Sequence, residues 1–313
     1  MTTSQHIKIT TRFGDKSTAD EVSEGVDLTG LRAIVTGGAS GIGFETTRTL
    51  ARLGAEVTVA VRNVAAAEET IAELRSATDR AIHVAPLELT DAASIAAFAD
   101  AWDGPLHLLV NNAGVMAIQE RTLSPDGWEA QLATNYLGHF RLTFRLHEAL
   151  ARAQGARIVA LSSTAHLFSP VVFDDMDFRF RPYDPIQAYA QSKTAVNLFA
   201  LEATRRWVGD GITVNAVNPG AIATPLQRHI GGRLATPVEM RKSPQQGAST
   251  TLLVATSPAL DGLGGRYFSD NQEATVVDFR PTNLADLAAS VAKYSLDADN
   301  AERLWNNSLP MII

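Results

Sequence analysis

From about residue 31 to residue 268 the chain alternates short apolar runs with longer segments in which apolar residues recur at helical spacing. Short runs rich in β-branched residues predict buried strands, and the 3.6-residue period between them predicts helices. This alternation is typical of βαβ units, a parallel sheet and right-handed crossovers that place helices on both faces. The pattern predicts strands at 31–35, 56–61, 81–89, 106–110, 156–161, 211–217 and 265–268.

The segments between the strands predict helices, including one long helix at 126–153 and a C-terminal helix near 283–307. Two stretches, 164–186 and 221–244, lack a regular pattern and contain several prolines or glycines. Long irregular loops in a compact domain usually carry function, so we predict that both border a substrate site. The predicted organisation is a polar N-terminal extension at 1–27 and one domain at 28–313, with a helical tail at about 281–313.

Composition narrows the class of protein further. The 313 residues are 45% hydrophobic, carry a formal net charge of −7 and include no cysteine. This is an ordinary globular composition, and the absence of cysteine excludes disulfides, thiolate metal sites and cysteine nucleophiles. The acidic balance argues against a nucleic-acid partner. No apolar run has the length of a signal peptide core or a membrane span, so we expect a cytoplasmic protein with no membrane partner. We also expect no metal site.

A glycine-rich segment follows the first predicted strand directly. Residues 36–43 read TGGASGIG, and a helical pattern begins immediately afterwards. Gly37 permits a tight turn, Gly41 lets the backbone approach a pyrophosphate, and Gly43 lets the helix pack close to the strand. The N-terminus of the helix supplies free N–H groups and a favourable dipole for the anion. The segment therefore predicts a dinucleotide-binding turn.

The end of the second strand bears on the choice of dinucleotide. An acid at this position binds the ribose hydroxyls of NAD, whereas an arginine accepts the 2′-phosphate of NADP. Here Arg62 and Asn63 follow Val61 without an acid. Because a guanidinium binds phosphate in a bidentate manner, the sequence favours NADP(H) over NAD(H).

The segment YAQSK at 189–193 carries the candidate chemistry. On a helix, Tyr189 and Lys193 lie one turn apart on the same face. A fixed ammonium group favours the phenolate, so we predict that Lys193 lowers the pKa of Tyr189 and makes it a general acid or base. The same pair also occurs simply as neighbours on a solvated helix face.

Six short segments occur in the order found in the short-chain dehydrogenase/reductase family. They are TGGASGIG at 36–43, NNAG at 111–114, Asn135, Ser163, YAQSK at 189–193 and NPG at 218–220. The chain resembles this family over about residues 28–270. The strings NYLGHFRLT and RIVALSSTAH, and the long gap before Tyr189, resemble the branch of retinol dehydrogenases and WW-domain oxidoreductases.

The resemblance implies one α/β domain of Rossmann type, doubly wound, with a seven-stranded parallel sheet and helices on both faces. It also implies a catalytic set. Tyr189 corresponds to the proton donor or acceptor, and Lys193 to the residue that lowers its pKa and binds the nicotinamide ribose. Ser163, rather than the adjacent Ser162, corresponds to the hydroxyl that polarises the carbonyl, and Asn135 to the residue that holds a water for proton relay.

The resemblance further implies a set of cofactor contacts. Glu88 stands where the family usually has an aspartate near the adenine. The implied contacts are Gly37, Ser40, Gly41, Ile42, Gly43, Arg62, Asn63, Glu88, Leu89, Asn112, Ala113, Gly114, Tyr189, Lys193, Pro219, Gly220, Ile222 and Thr224.

We therefore expect an NADP(H)-dependent oxidoreductase that transfers hydride between nicotinamide and a small-molecule carbonyl or alcohol. Aromatic residues of the 164–186 loop favour an apolar, bulky substrate, and we assign substrate contacts to His166, Phe168 and Tyr183; packing within the loop is the alternative. An NAD-dependent enzyme working oxidatively and a non-catalytic dinucleotide sensor remain open. The family often pairs its long helices between subunits, which implies a homodimer or homotetramer.

Overall fold

The computed structural model describes residues 7–78 and 80–312, and a main sheet of eight strands forms its centre. The strand order is β3-β2-β1-β4-β5-β6-β7-β8, in which neighbours from β3 to β7 are parallel and β8 is antiparallel to β7. A separate parallel pair joins β9 and β10. The strands are β1 Arg32–Thr36, β2 Glu56–Val61, β3 Ile82–Pro86, β4 Leu108–Asn111, β5 Ala156–Leu161, β6 Ile212–Asn218, β7 Tyr267–Ser269, β8 Gln272–Glu273, β9 Thr275–Val277 and β10 Ser290–Ala292.

Helices cover both faces of the main sheet. Side chains of a strand alternate between faces, so Ile34 joins one apolar cluster and Val35 the other. One cluster packs under α4, α6, α8 and α11, and the other under α1, α2, α3 and α9. The helices are α1 Ala19–Val22, α2 Gly41–Arg52, α3 Val64–Ser76, α4 Ala92–Asp100, α5 Ala130–Leu132, α6 Gly138–Arg145, α7 His147–Arg152, α8 Pro185–Trp207, α9 Pro244–Thr256, α10 Leu284–Ala288 and α11 Ala298–Ile312.

The doubly wound Rossmann-type fold is thus confirmed, with seven parallel strands and one short antiparallel strand added at the edge. The two irregular stretches are also present. The first runs to Asp184, which caps α8 through the N–H groups of Ile186 and Gln187. The second, here called the lid loop, spans residues 221–243, since Ser243 caps α9.

The prediction of one continuous helix at 126–153 is wrong. A turn and a short bridge between Leu123 and Glu129 occupy its first residues. Helix α5 then leads into a π-helical turn, Ala133–Leu137, before α6 begins. Leu146 leaves the helical region at φ −86° and ψ 3°, which separates α6 from α7.

The C-terminal tail also differs from the predicted single helix. Strand β10 lies between α10 and α11 and pairs with β9. Helix α11 then packs on α8 and α6 through Trp305, whose ring stacks on Phe199 at 6.3 Å and contacts Phe140 at 4.6 Å between centroids. The tail is therefore part of the core on one face of the sheet.

The N-terminal residues lie along the domain. Ile9 donates its N–H to Glu273 at 2.8 Å, and Thr11 donates to the side chain of Gln272 at 2.8 Å. Helix α1 buries Ala19 against α9 and α2. The first six residues of the predicted 1–27 extension lie outside the described residues.

Among residues 7–78 and 80–312, no helix combines the length and apolar character that a membrane span requires. The same residues contain no cluster of three or more His, Asp or Glu side chains arranged to hold a metal ion.

Candidate active site

A cleft of about 1030 Å³ opens at the carboxyl ends of the parallel strands. In open α/β sheets this edge is where ligands bind. All eighteen residues predicted to contact the cofactor line this cleft, together with Ser163 and Phe168. Four of the motifs come together because they follow four strands of one sheet, β1, β4, β5 and β6, and α8 brings Tyr189 and Lys193 to the same edge.

The glycine-rich turn is shaped by close backbone contacts. Gly37 has φ +65°, a conformation that favours glycine. A Cβ on Gly43 would lie 2.5 Å from Nδ2 of Asn112 and would clash with the carbonyl of Gly37. Ser40 is the N-cap residue of α2, but its hydroxyl makes no capping hydrogen bond to the helix. This turn has the shape that a pyrophosphate group at a helix N-terminus needs.

Thr36, at the end of β1, organises the neighbouring wall of the cleft. Its Oγ1 accepts hydrogen bonds from the N–H groups of Asn112 at 2.9 Å and Ala113 at 3.0 Å. The same hydroxyl lies 2.9 Å from Nε2 of His139. Because it already accepts twice, its proton is available for His139, which then carries its own proton on Nδ1 and donates to the carbonyl of Asn135 at 3.1 Å.

The catalytic candidates Ser163 and Tyr189 both line the cleft, and the Ser163 hydroxyl lies close enough to the phenol to favour its charged form. Ser163 follows β5, while Tyr189 projects from the second turn of α8 and is 5% exposed. Ser162 instead donates to the carbonyl of Lys193 at 3.2 Å, so the two serines have separate roles. A carbonyl oxygen placed between the Ser163 and Tyr189 hydroxyls would meet two donors.

The protonation of Tyr189 differs from the sequence-based prediction. Burial raises the pKa of Tyr189 to about 12, and the Ser163 hydroxyl offsets this only in part. Lys193 Nζ lies 5.6 Å from the ring centroid of Tyr189 and donates to the carbonyl of Leu161 at 2.7 Å. Burial lowers the pKa of Lys193 to about 7. Desolvation therefore outweighs the predicted lowering of the phenol pKa by its neighbour.

Asn135 lies in the π-helical turn, directly behind the cleft wall. Its Oδ1 accepts the N–H of Val115 at 2.9 Å, and its Nδ2 donates to the Val115 carbonyl at 3.0 Å and to Ser192 at 2.9 Å. A Cβ on Gly114 would lie 3.1 Å from Oδ1 of Asn135 and 3.8 Å from Nζ of Lys193. Asn135 thus stands beside Lys193 without lining the cleft itself, and its predicted water-holding role stays a prediction.

His166 and Tyr183 are not among the described residues that line the cleft. His166 is fully buried, pairs through Nδ1 with the Ser163 carbonyl at 2.7 Å, and accepts the N–H of Ala292 at 3.1 Å. Burial lowers its pKa to about 4. The Tyr183 hydroxyl donates to the carbonyl of Ile118 at 3.0 Å. Both side chains hold loops together.

The other loop aromatics also divide between packing and solvent. Phe178 is buried and Phe173 packs on the core, whereas Phe180 is 90% exposed. Of the five Phe and Tyr residues in the 164–186 loop, Phe168 alone is among the described cleft-lining residues. Its ring lies 4.8 Å from the guanidinium carbon of Arg280. For most of the loop, packing is the correct interpretation.

Several cleft residues escaped the sequence analysis because no motif marks them. Helix α10 contributes Leu284 and Leu287, and Met116 follows the NNAG segment. Lys242 and Asp270 form an ion pair at 2.5 Å on the cleft wall. The predicted helix near 283–307 indicated helical structure where α10 lies, but it did not indicate which strand ends that helix would cover.

Arg62 lies at the far end of the cleft. Its side chain is 63% exposed, and its nearest carboxylate oxygen, on Glu88, is 3.7 Å away. Glu88 is itself engaged by the N–H and the hydroxyl of Thr90 at 3.0 Å and 2.8 Å. The guanidinium is therefore only loosely paired. Asn63 caps α3 by accepting the N–H of Ala66.

Comparisons with known proteins agree with this geometry. The profile of the short chain dehydrogenase family matches residues 32–234. A probable oxidoreductase of Streptomyces lividans is 51% identical over 295 residues, covering 90% of this chain and 97% of that protein. Retinol dehydrogenase 12 of Mus musculus is 38% identical over 296 residues, covering 92% and 88%.

A solved structure from Mycobacterium Paratuberculosis superposes with a TM-score of 0.72 at 30% identity, covering 93% of this chain and 96% of that one. The family profile, these relatives and the fold agree with the order of motifs around the cleft. The chain therefore belongs to the short-chain dehydrogenase/reductase family, in its retinol dehydrogenase-like branch, and is a dinucleotide-dependent oxidoreductase.

Proposed function

We propose that the protein is an NADP(H)-dependent oxidoreductase that transfers hydride between the nicotinamide and a carbonyl or alcohol group of an apolar and bulky substrate. The observation that carries this proposal is the placement of the neighbouring Ser163 and Tyr189 side chains on the cleft wall, with Lys193 one helical turn further on. This pair can orient a carbonyl oxygen and supply a proton at one point.

The cleft fits a nicotinamide dinucleotide. The turn at Gly37 and Gly43 has no space for side chains and ends at a helix N-terminus, as a pyrophosphate site requires. When bound, the cofactor supplies or accepts the hydride. We propose that Lys193 holds the nicotinamide ribose.

We propose that Ser163 and Tyr189 donate hydrogen bonds to the substrate oxygen as negative charge develops there. With a pKa of about 12, Tyr189 carries its proton at neutral pH and is ready to act as the acid in reduction. Asn135, adjacent to Lys193, would position the water that returns a proton to this end of the cleft.

The preference for NADP(H) rests on Arg62. Its exposed, loosely paired guanidinium stands at the end of β2, where the family binds the adenosine ribose. Replacing a charge-assisted contact costs about 1.5–3 kcal/mol, which corresponds to roughly 10- to 100-fold in affinity. We expect Arg62→Asp to weaken NADPH binding by this factor and to improve NADH binding. An unchanged preference would mean that Arg62 is not the discriminating residue.

The preference for an apolar substrate rests on the apolar side chains that line the cleft. Phe168, Met116 and Leu226 come from three different loops, and Leu284 and Leu287 come from α10. Apolar walls with few polar groups favour binding of hydrophobic ligands. We propose aryl ketones, retinoid-like aldehydes or steroid-like ketones as the substrate class.

The test combines binding and turnover. Fluorescence titration with NADPH and NADH would be followed by turnover with a panel of ketones and aldehydes. Tyr189→Phe should bind NADPH normally and lose turnover. The matched control is Tyr267→Phe, because the buried Tyr267 hydroxyl has no hydrogen-bond partner among the described residues. Normal turnover in Tyr189→Phe, or turnover restricted to small sugars, would contradict the proposal.

A further inference from the structure

The lid loop, residues 221–243, covers the phosphate end of the cleft. Thr224 lies against the glycine-rich turn, since a Cβ on Gly41 would be 3.1 Å from Cγ2 of Thr224. Leu226, Leu234 and Met240 of the same loop line the cleft. These residues would therefore border a dinucleotide bound in this cleft.

The lid loop is closed on itself at its base. Lys242 donates its N–H to the carbonyl of Ala221 at 2.9 Å, so the two ends of the loop are joined. Arg241 donates from Nε to the carbonyl of Thr236 at 2.9 Å and from Nη2 to that of Leu234 at 3.1 Å. Arg241 therefore connects the middle of the lid loop, at Leu234 and Thr236, to its base. A contact that fixes the Arg241 backbone also restrains these residues.

Lys16, from the N-terminal segment, makes contact at this point. Its Nζ donates to the carbonyl of Glu239 at 3.1 Å and lies 3.5 Å from the carbonyl of Arg241. The carbonyl of Lys16 accepts from Nε2 of Gln246 at 3.1 Å, which fixes the backbone beside α9. The adjacent Asp15 lines the cleft itself. One ammonium group thus joins two carbonyls of the lid loop.

The N-terminal arm, residues 7–17, is anchored independently of the lid loop. The backbone of Thr11 bonds to the side chain of Gln272, and Nδ2 of Asn271 donates to the carbonyl of Gly14 at 2.8 Å. Beyond the arm, Asp20 of α1 binds Arg48 of α2 at 3.0 Å. The N-terminal arm therefore connects the body of the domain to the lid loop.

We propose that Lys16 is a positioning residue that holds the lid loop over the bound dinucleotide and thereby sets how long the cofactor remains bound. The inference rests on dinucleotide binding in this cleft, as stated under the proposed function, but not on the substrate or on the preference for NADP(H). Lys16 is 52% exposed and lies outside the catalytic set, so it acts through the loop and not on the chemistry.

The test uses Lys16→Met, which keeps the aliphatic stem and removes the donors, and Lys16→Arg, which retains donors. The matched control is Lys8→Met, because Lys8 is an exposed lysine of the same arm that donates to Thr275 and not to the lid loop. Two quantities are measured: amide hydrogen exchange of residues 225–240 without cofactor, and the dissociation rate of NADPH by stopped-flow fluorescence.

We expect Lys16→Met to accelerate exchange in the lid loop and to raise the NADPH dissociation rate and its KM about three- to tenfold, as the loss of one or two hydrogen bonds predicts. The kcat of Lys16→Met should not fall. Lys16→Arg should keep lid-loop exchange and NADPH dissociation close to the wild-type values. Lid exchange equal to that of Lys8→Met, or faster exchange with unchanged dissociation, would overturn the proposal. Failure of the wild-type protein to bind NADPH or NADH would instead refute the proposed function, whatever the exchange measurement shows.

Discussion

Thr36→Val is the sharpest test of how the cleft wall is held. The substitution keeps the shape of the side chain and removes one hydroxyl, which is fully buried at the end of β1. That hydroxyl accepts the N–H of Asn112 and of Ala113 and contacts Nε2 of His139. A valine can do none of this.

The magnitude follows from which groups lose a partner. The N–H of Asn112 also bonds to the carbonyl of Val110 at 3.0 Å and keeps that bond. The N–H of Ala113 and Nε2 of His139 are left without the hydroxyl. An unsatisfied buried polar group costs about 1–3 kcal/mol. Because the Ala113 N–H is only partly buried, we expect a total loss of roughly 2–4 kcal/mol.

Urea unfolding followed by circular dichroism measures this loss, as a lower midpoint at an unchanged slope. The control is Thr256→Val, which removes a buried hydroxyl that donates to the carbonyl of Leu252 and accepts from no backbone N–H in the described contacts. It should cost about 1 kcal/mol or less. NADPH binding should weaken in Thr36→Val, because Asn112 and Ala113 line the cleft. Equal stability of the two variants would refute the reasoning.

Two further predictions concern packing and acid stability. Gly43→Ala should lower the free energy of unfolding by about 1–3 kcal/mol and weaken NADPH binding, since its Cβ would lie 2.5 Å from Nδ2 of Asn112. The control is Gly209→Ala, which has open space around its Cβ and should change neither quantity. Thermal unfolding and a binding titration measure both effects. Burial lowers the pKa of His139 and His166 to about 4 from 6.5, so the unfolded chain takes up protons first and stability should fall between pH 6.5 and 4 by roughly 3 kcal/mol for each. A His139→Asn variant should lose stability less steeply over that interval, and an unchanged slope would contradict this assignment.

The strands were predictable because buried parallel strands are continuous apolar runs bounded by turn residues. The bounds of β2 and β5 agree with the predicted runs 56–61 and 156–161. TGGASGIG, NNAG, Ser163 and NPG meet in one cleft for a related reason: they follow the carboxyl ends of strands, and these ends share one edge of a parallel sheet. Order along the chain was thus enough to predict that most of the expected cofactor contacts lie together on one cleft.

Breaks within helical segments were not predictable from the same pattern. The π-helical turn at Ala133–Leu137 leaves apolar residues on the buried side, so the hydrophobic period continues through it. Within this turn Asn135 bonds to Val115 and Ser192. These partners are distant in sequence, and periodicity carries no information about them.

The pKa values of the candidate site were the property that the sequence predicted least well. Spacing placed Lys193 beside Tyr189, but it did not show that both side chains are almost fully buried. Burial disfavours the charged form of each group and moves the two pKa values in opposite directions, up for the phenol and down for the ammonium. The contacts of Thr36 with Asn112 and Ala113 could not be predicted from the sequence either, because Asn112 and Ala113 follow a different strand, more than seventy residues along the chain.

Helix α11 changes how the predicted pairing of long helices between subunits is understood. Trp305 packs between Phe140 of α6 and Phe199 of α8, and Trp207 contacts the same indole at 5.3 Å. These aromatic faces belong to the two helices that the family resemblance would place at a subunit interface. In the described part of the chain the tail already covers them, as a partner helix would. A homodimer or homotetramer stays a prediction, and it would have to form either through the outer face of α11 or through a different surface.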